Sequence, residues 1–172
     1  ARNAAPDRSH NETFDSLVRG GLVQFAAQIF LYVSIFYYSL RWLGLMSGRR
    51  RRNLFAASLV AGGALGVIVP LIFDGSLRLA GIGLPVGLIA GMIVYVTADL
   101  LLSGRGEIQE GADGSSGQPG GRRQLLILVL FAAIVAHFVE VHFGIAIAST
   151  LTLFWVLAGV LVTVGMGWVE DE

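Results

Sequence analysis

Cysteine is missing from the chain, which removes disulfides, thiolate metal sites and cysteine nucleophiles together and leaves the redox compartment open. Lysine is missing too: all 12 basic residues are arginine, a bias that high-GC coding explains as readily as any physical demand. Charge of either sign is scarce. Only 14% of the 172 residues are charged, where a soluble domain carries roughly a quarter. Twelve acids balance the 12 arginines, so no global field points to a nucleic-acid partner. The sequence also lacks a phosphate-binding loop, a nucleotide fingerprint and a serine-hydrolase elbow.

What the chain has is apolar length. Hydrophobic residues make up 55% of it, and the mean hydropathy is +0.72. They come in uncharged runs longer than a soluble core requires, the signature of membrane spans. The expected fold is therefore an all-α integral membrane protein, a bundle of about five transmembrane helices with the lipid bilayer as its first partner.

The runs divide the chain. Residues 1–19 are polar and mixed in charge. Residues 20–102 hold three spans, over about 20–46, 54–73 and 79–102, separated by the arginine run Arg49-Arg50-Arg51-Arg52 and the turn Asp74-Gly75-Ser76-Leu77-Arg78. Pro70 and Pro85 fall within spans, where neighbouring helices can satisfy the carbonyls they free. Residues 103–123 have the Gly/Ser composition of a flexible linker. Residues 124–168 would reach roughly 68 Å as one helix, against a hydrocarbon core of about 30 Å, and so must fold back once. Gly144 and Ser149-Thr150-Leu151-Thr152 place the reversal near 144–152, giving spans over about 124–143 and 152–168. An acidic tail occupies 169–172. Gly62 and Gly66 form a four-residue small-residue spacing of the kind that lets membrane helices touch, though with 23 glycines one such match arises easily by chance. The chain begins Ala1-Arg2-Asn3, without methionine or a signal-peptide pattern, and a piece of a longer polypeptide is the expected reading.

Orientation follows from arginine asymmetry. Arg49, Arg50, Arg51 and Arg52 lie after the first span, and Arg105, Arg122 and Arg123 after the third. The expectation is a multi-pass protein of the cell membrane with these loops and the C-terminus in the cytoplasm and the N-terminus outside. The four-arginine run acts as a topology determinant and attracts anionic lipid. Tyr37, Tyr38 and Trp42 suit the headgroup level at the same end, where Arg41 can snorkel. Asp99 is expected to reach water or Arg105. Asn11-Glu12-Thr13 matches a glycosylation sequon on the external side.

Ionisable residues inside a span are functional hypotheses by default, and the fourth span carries His137, Glu140 and His142 toward its external end. His137 and Glu140 share a helix face. His142 is five residues from His137, about 140° round an ideal helix, so one straight helix does not assemble a three-ligand metal site, and no metal is expected. The spacing is also not that of the zinc-protease helix. These side chains serve either chemistry, as a proton relay or substrate contact, or structure, as helix stitching at a hydrated span end. Gln24 and Gln28 share one face of the first span and suit helix–helix hydrogen bonding or ligand contact.

The stretch from His137 to Thr150, HFVEVHFGIAIAST, running into Phe154-Trp155, resembles late spans of bacterial and archaeal membrane glycosyltransferases similar to the catalytic subunit of oligosaccharyltransferase. Leu79 to Gly91, LAGIGLPVGLIAG, adds to the likeness. The resemblance implies an enzyme that uses a polyprenyl-linked sugar at the external face through an acidic metal-binding motif in its first external loop. Nothing in the chain matches that motif, so no catalytic residue is carried over. The chain would then be a membrane-embedded segment of such a transferase, lacking the catalytic loop and in contact with a lipid-linked glycan or with the rest of its polypeptide. Two alternatives stay open: a transporter or channel subunit with an intramembrane His/Glu relay, and a structural subunit of a membrane complex. The residues specify no cofactor.

Overall fold

The computed structural model describes residues 11–103, 119–143 and 148–168, and no strand occurs among them. Five helices follow in order: α1 (Glu12–Trp42), α2 (Gly48–Asp74), α3 (Ala80–Ser103) entered through a single 3-10 turn at Leu77–Leu79, α4 (Pro119–Phe143) and α5 (Ala148–Met166). Each is long and apolar enough to cross a membrane. Even α5, the shortest at 19 residues, spans roughly 28 Å against a hydrocarbon core of about 30 Å. Large apolar side chains such as Phe73, Val18 and Trp155 lie exposed, an arrangement untenable in water and ordinary against lipid.

Helices α1, α2, α4 and α5 begin earlier than their apolar runs do. Residues 12–19, which read as part of a polar segment, are the first turns of α1, because Asn11 caps the helix through the Phe14 amide and Glu12 and Asp15 sit in the first turn, where carboxylates complement the helix dipole. Thr13 and Ser16 are buried there. Gly21, at φ 64°, then interrupts the helix, a left-handed conformation that favours glycine. Residues 119–123, read as linker, open α4 with Pro119, a residue suited to a first helical turn. Helix α5 starts at Ala148, inside the proposed reversal. The remaining linker residues 104–118, residues 144–147, the acidic tail and residues 1–10 lie outside the described residues.

The closest packing is between α2 and α3. A Cβ placed on Gly62 would collide with the Gly87 carbonyl oxygen, and one on Gly87 with that of Gly62; Gly66 and Gly83 are related in the same reciprocal way, and Gly91 lies against Ser58. Ser58, Gly62 and Gly66 on α2 and Gly83, Gly87 and Gly91 on α3 each recur every four residues, so each set forms one stripe. The Cα hydrogen standing where a side chain would be faces a carbonyl oxygen, a weak hydrogen bond repeated along the seam. The Gly66 carbonyl has a particular reason to be there: its helical donor would be residue 70, a proline without an N–H.

Helices α1, α4 and α5 meet through aromatic rings instead. Tyr32 packs edge-on to Phe138 at 4.7 Å between ring centroids and lies 5.2 Å from Phe154. Phe36 meets Phe131 and Phe138 edge-on at 5.8 and 5.5 Å. These are favourable ring geometries.

One end of the bundle gathers the arginines and holds them with specific contacts. Arg51 Nε lies 2.9 Å from the buried Asp99 carboxylate, and Arg51 also donates to the Ser47 hydroxyl. Asp99 is thus held by α2: the helix begins at Gly48, and its first turn carries Arg51 to the end of α3; Arg105, the partner the sequence offered, lies outside the described residues. Tyr95, fully buried, donates to the Leu45 carbonyl at 2.6 Å and pins the α1–α2 turn. Arg123 donates to the Val164 and Gly165 carbonyls at 3.0 and 2.6 Å, satisfying the last turn of α5 where helical donors run out. Trp42, at the same end, lies over Gly165 in the last turn of α5.

Candidate functional site

The opposite end carries the polar residues that the sequence singles out. They divide between two surfaces of α4. His137 is 5% exposed and stacks on Phe154 of α5, with ring centroids 5.3 Å apart and an interplanar angle of 21°. Its Nδ1 lies 3.7 Å from Glu140 Oε2, an ion-pair distance beyond hydrogen-bond length. The Glu140 side chain is 59% exposed, one turn from the end of the helix. His137 Nε2 has no hydrogen-bond partner among the described residues.

His142 turns to another side and is buried. Its Nδ1 sits 2.6 Å from the Phe138 carbonyl one turn back, so that nitrogen carries the proton and donates. The ring borders a crevice of about 110 Å³ between α3 and α4, walled by Pro85, Ile89 and Phe138 among others. Apart from the His142 ring its walls are apolar, so it offers a polar ligand little to bind. Among the described residues, no group of three His, Asp or Glu side chains could hold a metal ion.

The residue that organises this end is Asn11. Its amide donates 3.0 Å to the Gly81 carbonyl of α3 and 2.9 Å to the His142 carbonyl of α4, while its oxygen accepts from the Phe14 amide. Both carbonyls need an outside donor. Gly81 would receive its helical bond from residue 85, which is proline, and His142 lies in the last turn of α4, where carbonyls run out of helical donors. Three helices are therefore joined at one buried amide. The same geometry removes the sequon reading, since a buried, triply bonded amide offers no access for a glycan. Gly81 is in turn covered by the Phe14 ring.

Gln24 and Gln28 do not join this cluster. Gln24 is exposed, folded over the Gly20 backbone, and Gln28 is half-buried; no hydrogen bond links either to another helix among the described residues. Of the arginine run, Arg51 is engaged internally and Arg49, Arg50 and Arg52 are exposed.

Sequence reasoning gave no packing role to Asn11 or Arg123 and did not single out Tyr95. A signal for the first was present: an Asn followed by acidic residues and then an apolar run is a helix-start pattern.

These features define a multi-pass, all-α membrane protein in which a three-helix clamp closes one end and an arginine cluster marks the other. No family model matches the chain, and neither do any of the curated proteins or the solved structures.

Proposed function

We propose that the chain is a membrane-embedded, non-catalytic segment of an enzyme that transfers a polyprenyl-linked sugar. The observation that supports this reading is the meeting of the two stretches that bear the resemblance. Residues 79–91 and 137–143 belong to different helices, yet the Asn11 amide bridges them through Gly81 and His142. The junction is made through backbone carbonyls rather than reactive side chains, which fits a supporting role. The acidic catalytic motif and the glycan contacts then belong to other parts of the polypeptide. In this reading the Asn11 end faces outward, and the arginine end and C-terminus lie in the cytoplasm of a cell whose plasma membrane holds the protein.

The competing transporter reading draws on the His137–Glu140 pair, and a single substitution separates the two. Glu140→Gln, in membranes containing the full-length protein and a polyprenyl-linked oligosaccharide donor, should leave glycan transfer within about twofold of the parent. An exposed carboxylate that is not a proton carrier can be replaced by an amide, whereas loss of a general acid or base costs about a hundredfold or more. Loss of transfer at unchanged thermal stability would assign Glu140 to chemistry. No transfer by the parent protein would dismiss the transferase reading altogether.

A further inference from the structure

We propose that the groove between α1 and α2 seats one anionic phospholipid, with its phosphate at Arg52 and an acyl chain running down the groove toward Phe30 and Val60. The proposal is independent of the transferase reading.

The groove, about 480 Å³, is lined by two antiparallel ladders. On α1, Tyr38, Ser34 and Phe30 recur every four residues, as do Arg52, Ala56 and Val60 on α2, so each set lies on one helix face. From Arg52 to Val60 the helix rises roughly 12 Å, most of the roughly 15 Å of hydrocarbon in one leaflet. The polarity along this length is graded. Arg52 and the Tyr37 and Tyr38 rings line the end near the α1–α2 turn, where headgroups lie; Val33, Leu59, Phe30 and Val60 line the rest. Phe30 and Val60 are exposed, so the groove opens sideways to the bilayer and a lipid enters without leaving its leaflet.

Charge selects the headgroup. Arg51 is engaged by Asp99, whereas Arg52 makes no ion pair among the described residues, and neither do Arg41, Arg49 and Arg50 nearby in the chain. Arg52 alone of these lines the groove. A guanidinium offers paired donors to phosphate oxygens, and the local excess of positive charge disfavours a zwitterionic headgroup relative to an anionic one.

The test uses the intact chain in phosphatidylcholine vesicles doped with spin-labelled phosphatidylglycerol or spin-labelled phosphatidylcholine, reading the motionally restricted fraction of each. The parent should restrict phosphatidylglycerol preferentially. Arg52→Gln should lower that preference about fivefold, equivalent to about 1 kcal/mol for one arginine near the lipid surface. Arg49→Gln removes the same charge outside the groove and should change it far less. Ala56→Trp fills the groove without touching charge and should abolish the preference. Equal effects of Arg49→Gln and Arg52→Gln, together with an unaffected Ala56→Trp, would overturn the proposal in favour of a diffuse cationic surface. Displacement of the labelled lipid by millimolar inorganic phosphate would also overturn it, because the seat would then be a headgroup-only anion site.

Discussion

Replacing Gly87 with valine is expected to destabilise the bundle by on the order of 3 kcal/mol or more, the upper range for forcing extra carbons into a packed interface. The new Cβ would stand on the Gly62 carbonyl oxygen and crowd the Gly66 backbone. Those neighbours are main chain and cannot rotate aside as a side chain could, so α2 and α3 must separate. Separation also breaks the reciprocal contacts at Gly66–Gly83 and Gly91–Ser58 along the same seam. In a bilayer, lipid tails solvate the released apolar surface as well as helices do, and the close approach itself is what holds the pair. Gly159→Ala supplies the contrast. A Cβ there meets nothing within 4 Å, so the substitution should be neutral or stabilise α5 by about 0.5–1 kcal/mol through backbone entropy. Reversible unfolding in mixed micelles measures both. Equal, small effects would mean that the glycine seam contributes nothing particular.

Asn11→Ala is expected to cost about 2–6 kcal/mol, because two buried carbonyls each lose their donor at about 1–3 kcal/mol. The informative companion is Asn11→Asp. An aspartate still caps the Phe14 amide and suits a helix N-terminus, so a residue needed only as a cap would tolerate it. In this clamp it turns two donors into acceptors facing the Gly81 and His142 carbonyls, and Asn11→Asp should be at least as damaging as Asn11→Ala. Pro85→Ala tests the logic from the other side. It returns an N–H to α3 for the Gly81 carbonyl, so the penalty of Asn11→Ala should shrink in that background.

How much of this was legible in the sequence depends on the kind of interaction. The five spans were readable because apolar length is a property of each segment alone. The divergence of His137 and His142 was readable because helix geometry fixes it, and the structure places one ring on Phe154 and the other over its own helix. Gly62 and Gly66 were visible as a spacing. Their partners Gly83 and Gly87 were not, because the register between two helices is written in neither of them. Asn11 stands in letters that a sequon and a helix cap share, and only the fold shows that the amide is buried. Arg51 was not foreseen as a partner of Asp99 because α2 begins several residues before its apolar run, carrying the arginines into its first turn.

The central claim is that α2 is a true span separating an arginine-rich face from an outer face. The chain contains no native cysteine, so single introduced thiols report cleanly. Ser47→Cys and Leu77→Cys flank α2 at exposed positions. In intact cells an impermeant thiol reagent should label Leu77→Cys at once and Ser47→Cys only after permeabilisation. Labelling of both from the same side would contradict the span itself, and the reverse pattern would contradict the orientation.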